Sequence, residues 1–358
     1  MNKGNIGEIL FEGINGFVGH IPGGLGIATV ICCAIFAAIA GTSTAVAVTI
    51  GIIAIPAMRQ RGYERQFAVG LMAAGGTLGQ LIPPSVPMIL YATVTGESIG
   101  SLFIAGVIPG IILSCVFISY IFIVADRRQS ALVKQTSWHD RWQKSKKAVW
   151  VAFLVPIIMG GIYTGIFTPS EAAAIGVVYS FILCLFVYRT LRVRDVFPVL
   201  MEAMYTSAML LLIVSAAVLF GHTITLLRIP QDLVNFVISQ DLSKWTFIIF
   251  MNLLYLLLGC FLEAAAMILI TVPIFLPILK VLNIDLIWFA VILIMNIEIA
   301  MVTPPVGLNL FVLQGVVKDT NMAEIFRGAI PFLILLALVL VLVIVFPPLT
   351  TVLLKYMG

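Results

Sequence analysis

The chain has 358 residues, of which 61% are hydrophobic and only 10% are charged, and its mean hydropathy is +1.16. A soluble domain carries about 25% charged residues, so this composition excludes water as the main solvent of the chain. The net charge of +4 comes from short loops rather than from a basic domain, which argues for a membrane orientation signal and against nucleic-acid binding.

The first apolar segment is divided by a short polar stretch. An amphipathic stretch at residues 1–22 predicts an arm along the membrane surface. Residues 24–58 follow, apolar except at Gly41-Thr42-Ser43-Thr44, which leaves two arms of roughly 16 residues, each marginally short for a full crossing. Three arginines come directly afterwards, at positions 59, 61 and 65. We therefore predict a re-entrant helical hairpin with both ends on one side of the membrane.

The next segment, residues 66–95, is long enough to cross but is interrupted between Gly75 and Ser85. Two prolines in this stretch remove backbone donors and its glycines loosen the backbone, so we predict that it is unwound. Ordinary spans are predicted after it, with a charged cytoplasmic loop at 126–147. The spans are 102–124, 148–167, 170–188 and 198–227. Glu171 and Glu202 are interpreted as acids in the first turns of two of these helices.

The same pattern returns in the second half of the chain. An amphipathic arm at 228–244 precedes an apolar run, 245–279, centred on Gly259–Ala266, and the run 286–317 is interrupted at Thr303–Gly307. A final helix is predicted over 328–354. The chain thus divides into four parts: a first repeat (1–125), the charged loop (126–147), scaffold helices (148–227) and a second repeat (228–358).

The positive charges predict the orientation of these segments. Of the 20 Lys and Arg residues, 15 lie in four loops, which should be cytoplasmic: 59–65, 126–147, 189–195 and 318–327. Tracing the crossings from these loops opens the first hairpin to the cytoplasm and the second to the outside. The predicted fold class is an all-α polytopic membrane protein with two inverted repeats, each containing a re-entrant helical hairpin and a broken transmembrane helix.

Two interrupted helices predict a site at mid-membrane, because each unpaired peptide group in lipid costs several kcal/mol. Inverted repeats with discontinuous helices are typical of secondary transporters. The hydroxyls of Thr42, Ser43 and Thr44 suit a hard cation, and Ser85 would point into the same region. Each of these features also has a purely structural interpretation. The hydroxyls could cap or bond to nearby backbone, and either Pro-Pro pair could simply kink a helix.

Two carboxylates lie deep in apolar sequence, where an ionisable group is costly and functional by default. Glu263, at the centre of the second hairpin, is the stronger candidate for substrate or ion contact. Glu298 is either functional or a neutral or hydrogen-bonded structural acid. Asn309, about two turns past Thr303, either bonds the freed backbone or lines the site.

Signals for an enzyme are weak in this sequence. His20, His139 and His222 lie in three distant contexts, and no grouping of His, Cys or acidic residues has metal-ligand spacing. The five cysteines lie in apolar runs without a CxxC pair, so a disulfide framework is not predicted. A P-loop motif is absent, so we expect the driving force to come from an ion gradient or a partner.

Several longer motifs, taken together, resemble one family over nearly the whole chain. That family is the large subunit of tripartite ATP-independent periplasmic (TRAP) transporters. The motifs are Ala74–Gly79, Ile82–Met88, Glu97–Gly100, Leu102–Gly106, Phe167–Ala174, Leu269–Pro277 and Thr303–Phe311.

The resemblance implies an elevator-type, sodium-coupled importer in the bacterial inner membrane, with no cofactor besides the coupling ions. It also implies a small four-helix membrane subunit and a periplasmic substrate-binding protein as partners. The substrate implied is an organic acid such as a C4-dicarboxylate or a sialic acid. A self-sufficient carboxylate symporter of the same architecture, and a channel or structural membrane component, are the alternatives.

Carried over to this sequence, the resemblance implies two sodium sites built mostly from backbone. The first joins the tip at Gly41, Thr42, Ser43 and Thr44 to a break that includes Gly79 and Pro83. The second joins Glu263 and the residues after it to Thr303 and Pro304. The substrate residues implied are Ser43, Ser85 and Glu263, to which we add Asn309 as a candidate.

Two departures from the family pattern are visible. Relatives usually have an Asp, a small residue and a Thr in the second tip, where this chain has Glu263-Ala264-Ala265-Ala266, so backbone carbonyls would have to serve there. Relatives also usually begin with two further transmembrane helices, and this chain starts where the family pattern is leaving the second of them.

Overall fold

A computed structural model of the protein describes residues 5–125, 138–317 and 320–356. The regular elements within these ranges are helical, as predicted. Seven of the described helical segments are long and apolar enough to cross a membrane by length and composition: Ser43–Gln60, Ile99–Val124, Lys146–Tyr163, Pro169–Val187, Val193–Leu226, Ala264–Val281 and Met322–Val345.

The first repeat begins with three helices that pack against one another: α1 (Ile6–Val18), α2 (Gly24–Ala40) and α3 (Ser43–Gln60). The chain reverses between α2 and α3 at Gly41, whose φ of +67° is readily adopted only by glycine. Its N–H bonds to the Ala37 carbonyl and ends α2. The two arms and their tip, defined here as Gly41–Thr42, therefore lie where the sequence predicts them.

The first broken helix consists of α4 (Arg65–Leu81) and α5 (Val86–Thr95), separated by a break at Ile82–Ser85. The prediction that the chain unwinds from Gly75 is wrong, because α4 continues to Leu81. Its glycines serve close packing instead: a Cβ placed on Gly76 would lie 2.7 Å from the Ala47 Cβ. The unwinding is confined to the prolines and their neighbours, where backbone donors are missing.

The following helices shift several predicted boundaries. Helix α6 (Ile99–Val124) begins slightly early, capped by Ser98. Most of the predicted charged loop lies outside the described residues, but its end is helical in α7 (Trp138–Ala152), so a loop there is wrong. The span predicted at 148–167 combines the end of α7 with α8 (Leu154–Tyr163).

Helix α9 (Pro169–Ile182) continues into a π-helical turn, and α10 (Val193–Leu226) then runs for 34 residues. The predicted start of this last helix at Pro198 is wrong, because Asp195 accepts a hydrogen bond from the Arg192 backbone and caps an earlier start. Glu202 consequently lies inside α10 and not in its first turn.

The second half of the chain has the same order of elements as the first helices of the chain. Helix α11 (Ile229–Ser239) is followed by α12 (Lys244–Gly259) and α13 (Ala264–Val281), which are joined by a second tip at Cys260–Glu263. The predicted tip at Gly259–Ala266 is therefore too long, because the alanines, good helix formers, are already helical.

The second broken helix comprises α14 (Leu286–Met301) and α15 (Leu308–Val316), with a second break at Val302–Gly307. The last long helix, α16 (Met322–Val345), overlaps the predicted helix at 328–354, but it both starts and ends earlier in the chain than predicted. Asn321 caps its start by accepting a hydrogen bond from the Glu324 backbone at 2.7 Å. Pro347 and Pro348 follow its end, after which only a short helical turn and a 3₁₀ turn remain.

The core of the molecule surrounds α4 and α14, the first halves of the two broken helices. Every residue of α4 from Ala68 onward and of α14 from Trp288 onward is buried. Helix α4 also crosses α16 with backbone nearly touching backbone, since a Cβ on Gly70 would lie 2.0 Å from the Gly328 carbonyl carbon. Helix α10, by contrast, buries only two described residues. Both breaks therefore begin inside the most densely packed part of the protein.

Candidate functional site

The first tip packs directly against the first break. The Val86 N–H donates to the Gly41 carbonyl at 3.1 Å. A Cβ on Gly41 would lie 3.1 Å from the Pro84 oxygen, and one on Gly79 would lie 2.7 Å from the Thr42 oxygen. Carbonyl oxygens of the tip and the break are thus gathered in one place. Oxygen ligands of this kind suit a hard cation such as sodium.

Asn309 joins this first tip to the second broken helix. It lies in the first turn of α15 and is completely buried. Its Nδ2 donates to Ser43 Oγ at 2.7 Å and to the Ala73 carbonyl at 3.0 Å. Its Oδ1 is buried without a hydrogen-bond partner among the described residues. The structure therefore brings two predicted site residues, Ser43 and Asn309, into contact.

The other residues predicted for the first site lie in the tip, in the break or in the adjoining turns of α3 and α4. Ser85 is buried and caps α5, accepting a long hydrogen bond of 3.5 Å from the Met88 N–H. Pro83 is buried beside it, and Thr44 is half-buried in the first turn of α3. Ser85 thus has a capping role whether or not it also contacts a substrate.

The second tip packs against the second break in the corresponding way. Cys260 Sγ lies 3.4 Å from the Pro304 carbonyl oxygen, and a Cβ on Gly259 would lie 2.4 Å from the Ala300 Cβ. Thr303 Oγ1 donates to the Ile299 carbonyl at 2.7 Å, so its lone pairs remain available to a ligand. The predicted association of tip and break is present in both halves of the chain.

Glu263 is the residue before α13 and ends the second tip. Its side chain is exposed, and within residues 5–125, 138–317 and 320–356 it has no hydrogen-bond or ion-pair partner. It is therefore free to meet a ligand, but no described contact connects it to Ser43, Ser85 or Asn309.

Two polar residues of the core were missed as site candidates. Gln80, in the last turn of α4, donates from Nε2 to Met301 Sδ at 2.9 Å. Asn296, on α14, donates to Asn252 Oδ1 at 2.7 Å. The signal that would have found them is an amide inside an apolar membrane segment, which is rare and faces the protein interior.

The remaining acids and histidines have structural or exposed positions. Thr168 and Glu171 form a reciprocal capping box at the start of α9, which confirms the capping interpretation of Glu171. His20 and His222 are exposed, and His139 lies where side chains are not described. No group of three or more His, Cys, Asp or Glu side chains suited to a metal occurs among the described residues. A cation site here would depend on backbone, hydroxyl and amide oxygens.

Comparison with known proteins places these features in a family context. Residues 1–349 match the family described as "Tripartite ATP-independent periplasmic transporter, DctM component". The C4-dicarboxylate TRAP transporter large permease protein DctM of Pseudomonas aeruginosa is 42% identical over 358 residues, which cover all of this chain and 84% of that protein.

Two further relatives show similar coverage. The Rhodobacter capsulatus protein of the same description is 38% identical, over all of this chain and 84% of its own length. The sialic acid TRAP transporter large permease protein SiaM of Vibrio cholerae is 35% identical, over 98% of this chain and 82% of its own length.

Proposed function

This chain belongs to the DctM family, the large permease components of tripartite ATP-independent periplasmic transporters, and from that premise we propose that it imports an organic acid in symport with sodium. It is a multi-pass protein of the bacterial inner membrane. Membership of a transporter permease family indicates a role in transport and not in catalysis. Permeases of this family work with a substrate-binding protein and a small membrane subunit, and we propose the same two partners here, the small subunit having four helices.

The substrate proposed is a carboxylate of the C4-dicarboxylate or sialic-acid kind. Two of the three relatives described above are named for C4-dicarboxylates and one for sialic acid. The fold supports the binding of an anionic substrate, because four helices begin directly after a tip or a break: α3, α5, α13 and α15. The amino ends of these helices carry partial positive charge, which stabilises an anion. Ser43, Ser85, Glu263 and Asn309 are the substrate-binding residues proposed.

Sodium coupling is proposed from the oxygen atoms gathered where each tip meets its break. In the first half these are the carbonyls of Gly41, Thr42 and Pro84 together with the hydroxyls of Ser43 and Thr44. In the second half they are the Pro304 carbonyl and the Thr303 hydroxyl. We propose that the exposed Glu263 carboxylate adds to them, because the alanines that follow the second tip provide no hydroxyl. The observation that carries the proposal is the pairing of a tip and a proline break in each half.

An elevator-type movement is proposed for the same elements, with the tips and broken helices moving against the scaffold helices α8 to α10. A cavity of about 500 Å³ lies between the two groups. Its walls include Ile39 and Pro84 on the first side and Ile158, Ala173 and Val199 on the second. An apolar boundary without fixed hydrogen bonds favours sliding, because dispersion contacts are non-directional.

The proposed function is tested by uptake into reconstituted vesicles containing this permease and its small subunit. We expect uptake of the organic acid to require both the binding protein and an inward sodium gradient. Uptake that continues after removal of sodium would overturn the coupling. Uptake without the binding protein would instead identify a self-sufficient symporter, and current without substrate would identify a channel.

The first sodium site is tested by the double substitution Thr42→Ala with Ser43→Ala. We expect the sodium concentration for half-maximal uptake to rise about tenfold, which corresponds to about 1.4 kcal/mol of lost binding free energy. Thr93→Ala is the matched control, because the Thr93 hydroxyl bonds only within α5. Unchanged sodium activation in the double variant would remove these hydroxyls from the site.

A further inference from the structure

A carboxyl group without a charged partner among the described residues lies buried in the core of the protein. Glu298 is in the last turn of α14 and is completely buried. Neither of its carboxylate oxygens has a hydrogen-bond partner in the part of the chain that the structure describes. Glu298 is not among the residues proposed to bind sodium or substrate, so its presence in the core requires a separate explanation.

Glu298 lies where the two broken helices cross. Its carboxyl group is next to the backbone of Leu81, the last residue of α4. Gln80, one position earlier, contacts Met301, which follows Glu298 by about one helical turn. The last turns of α4 and α14 therefore pack together, and each leads directly into a break. The Glu298 carboxyl thus lies at the crossing of the two broken helices, inside the group of helices that the transport proposal expects to move.

The unpartnered atoms around this crossing are all acceptors. Besides the two Glu298 oxygens, Gln80 Oε1 is buried without a described partner, whereas Gln80 Nε2 is used by the Met301 sulfur. Acceptors cannot satisfy one another without a hydrogen between them. What the crossing lacks is a hydrogen-bond donor, and a protonated carboxyl group would provide one.

Charged groups that could offset an ionised Glu298 are far from it among the described residues. On the helices that pack against α14, Tyr91 and Tyr255 reach only its first turn, at Leu286 and Phe289, more than two helical turns before Glu298. Arg65, Lys244 and Glu324 lie in the first turns of their helices, and Arg327 lies in the second turn of α16. The other titratable groups on these helices, Cys115 and Tyr120, lie on α6.

An isolated carboxylate in such a place is strongly unfavourable, whereas the neutral acid is tolerated and can donate a hydrogen bond. We propose that Glu298 is a proton-binding site: its carboxylate takes up one proton from the solvent when movement of the broken helices brings water to the α4–α14 crossing, and holds it as the carboxylic acid while the crossing is shielded from water. The permease would then bind a proton in addition to sodium and substrate.

Proton binding is tested without any transport, by infrared spectroscopy of the purified chain in lipid at neutral pH. We expect a band from a protonated carboxyl group that is lost in Glu298→Gln and retained in Glu64→Gln, whose exposed acid precedes α4. If Glu298→Gln does not fold, Glu298→Asp keeps the acid and should shift the band. A spectrum in which neither substitution changes a protonated-carboxyl band would overturn the proposal.

Coupling of this proton to transport rests on the proposed function and is tested in vesicles containing the complete complex. Lowering the internal pH should slow uptake, because it opposes proton release on that side. We expect Glu298→Gln to keep sodium-dependent uptake but to lose this dependence on internal pH, whereas Glu64→Gln should keep it. An unchanged pH dependence in Glu298→Gln would show that the proton stays bound throughout the cycle and would overturn the coupling.

The two experiments separate two kinds of failure. Absence of all uptake by the unaltered complex would contradict the proposed transport function, but it would leave the infrared result intact.

Discussion

Asn309 connects parts of the chain that are 266 residues apart. Its amide nitrogen donates hydrogen bonds to Ser43 in the first turn of α3 and to the Ala73 carbonyl of α4, both in the first half of the sequence. Because the amide is completely buried, loss of either bond leaves a polar atom unpaired in the core. Asn309 therefore fixes the position of the second broken helix relative to the first tip.

The contact between Asn309 and Ser43 predicts non-additive effects. We expect Asn309→Ala and Ser43→Ala each to lower the free energy of unfolding, and the double variant to lose less than the sum. The expected coupling is about 0.6 to 1.7 kcal/mol, the range found for hydrogen bonds between membrane helices. Thermal unfolding of the four proteins in detergent measures this coupling. Strict additivity would contradict a direct bond.

The tips and breaks are the elements that distinguish this fold from a simple helical bundle. Each tip ends two helices and each break interrupts one, so unpaired backbone groups are gathered at four points. Such groups are tolerated in a membrane protein only when buried in protein or facing a cavity. Close packing of tip against break provides this protection, and it depends on residues without side chains at the contact, of which Gly79 is the clearest example.

Gly79→Ala is expected to separate the first tip from the first break, because its Cβ would lie 2.7 Å from the Thr42 oxygen. We expect weaker sodium activation of uptake and a lower unfolding temperature. Gly160→Ala is the control, since its Cβ would meet nothing within 4 Å. An alanine in the middle of α8 should be neutral or stabilising by about 0.5 to 1 kcal/mol. Equal behaviour of the two variants would contradict the proposed contact.

At the scale of the molecule, a buried core of broken helices is accompanied by helices that bury little. Helix α10 exposes large apolar side chains along much of its 34 residues. Such a surface requires lipid or another membrane protein as its neighbour. The small membrane subunit proposed above would meet this requirement.

The inverted orientation of the two repeats remains a prediction from the positive charges, and labelling tests it. Gln60 and Lys280 lie at or near the ends of α3 and α13, and both are exposed. We expect a membrane-impermeant thiol reagent to reach Gln60→Cys from the cytoplasmic side only and Lys280→Cys from the outside only. The parent chain, with its own cysteines, provides the background. Labelling of both positions from one side would contradict the inversion.

Local sequence chemistry was sufficient to predict where the chain reverses and near which residues its helices break. Gly41 and the two Pro-Pro pairs act through local backbone chemistry, which does not depend on the neighbours. The all-helical class followed from composition, and the family followed from motifs spread over nearly the whole chain. Helix ends were less well predicted, because caps such as Asn321 and Asp195 extended helices beyond their apolar runs.

The length of each break and the contacts between polar groups depend instead on how distant helices pack together. Gly75, Gly76 and Gly79 appear in sequence as loosening residues, yet they are helical because neighbouring helices pack closely against them. The meeting of Asn309 with Ser43, and the isolation of Glu298, depend on which helices cross at that depth. Such crossings arise from the packing of segments far apart in the chain, and no local pattern encodes them.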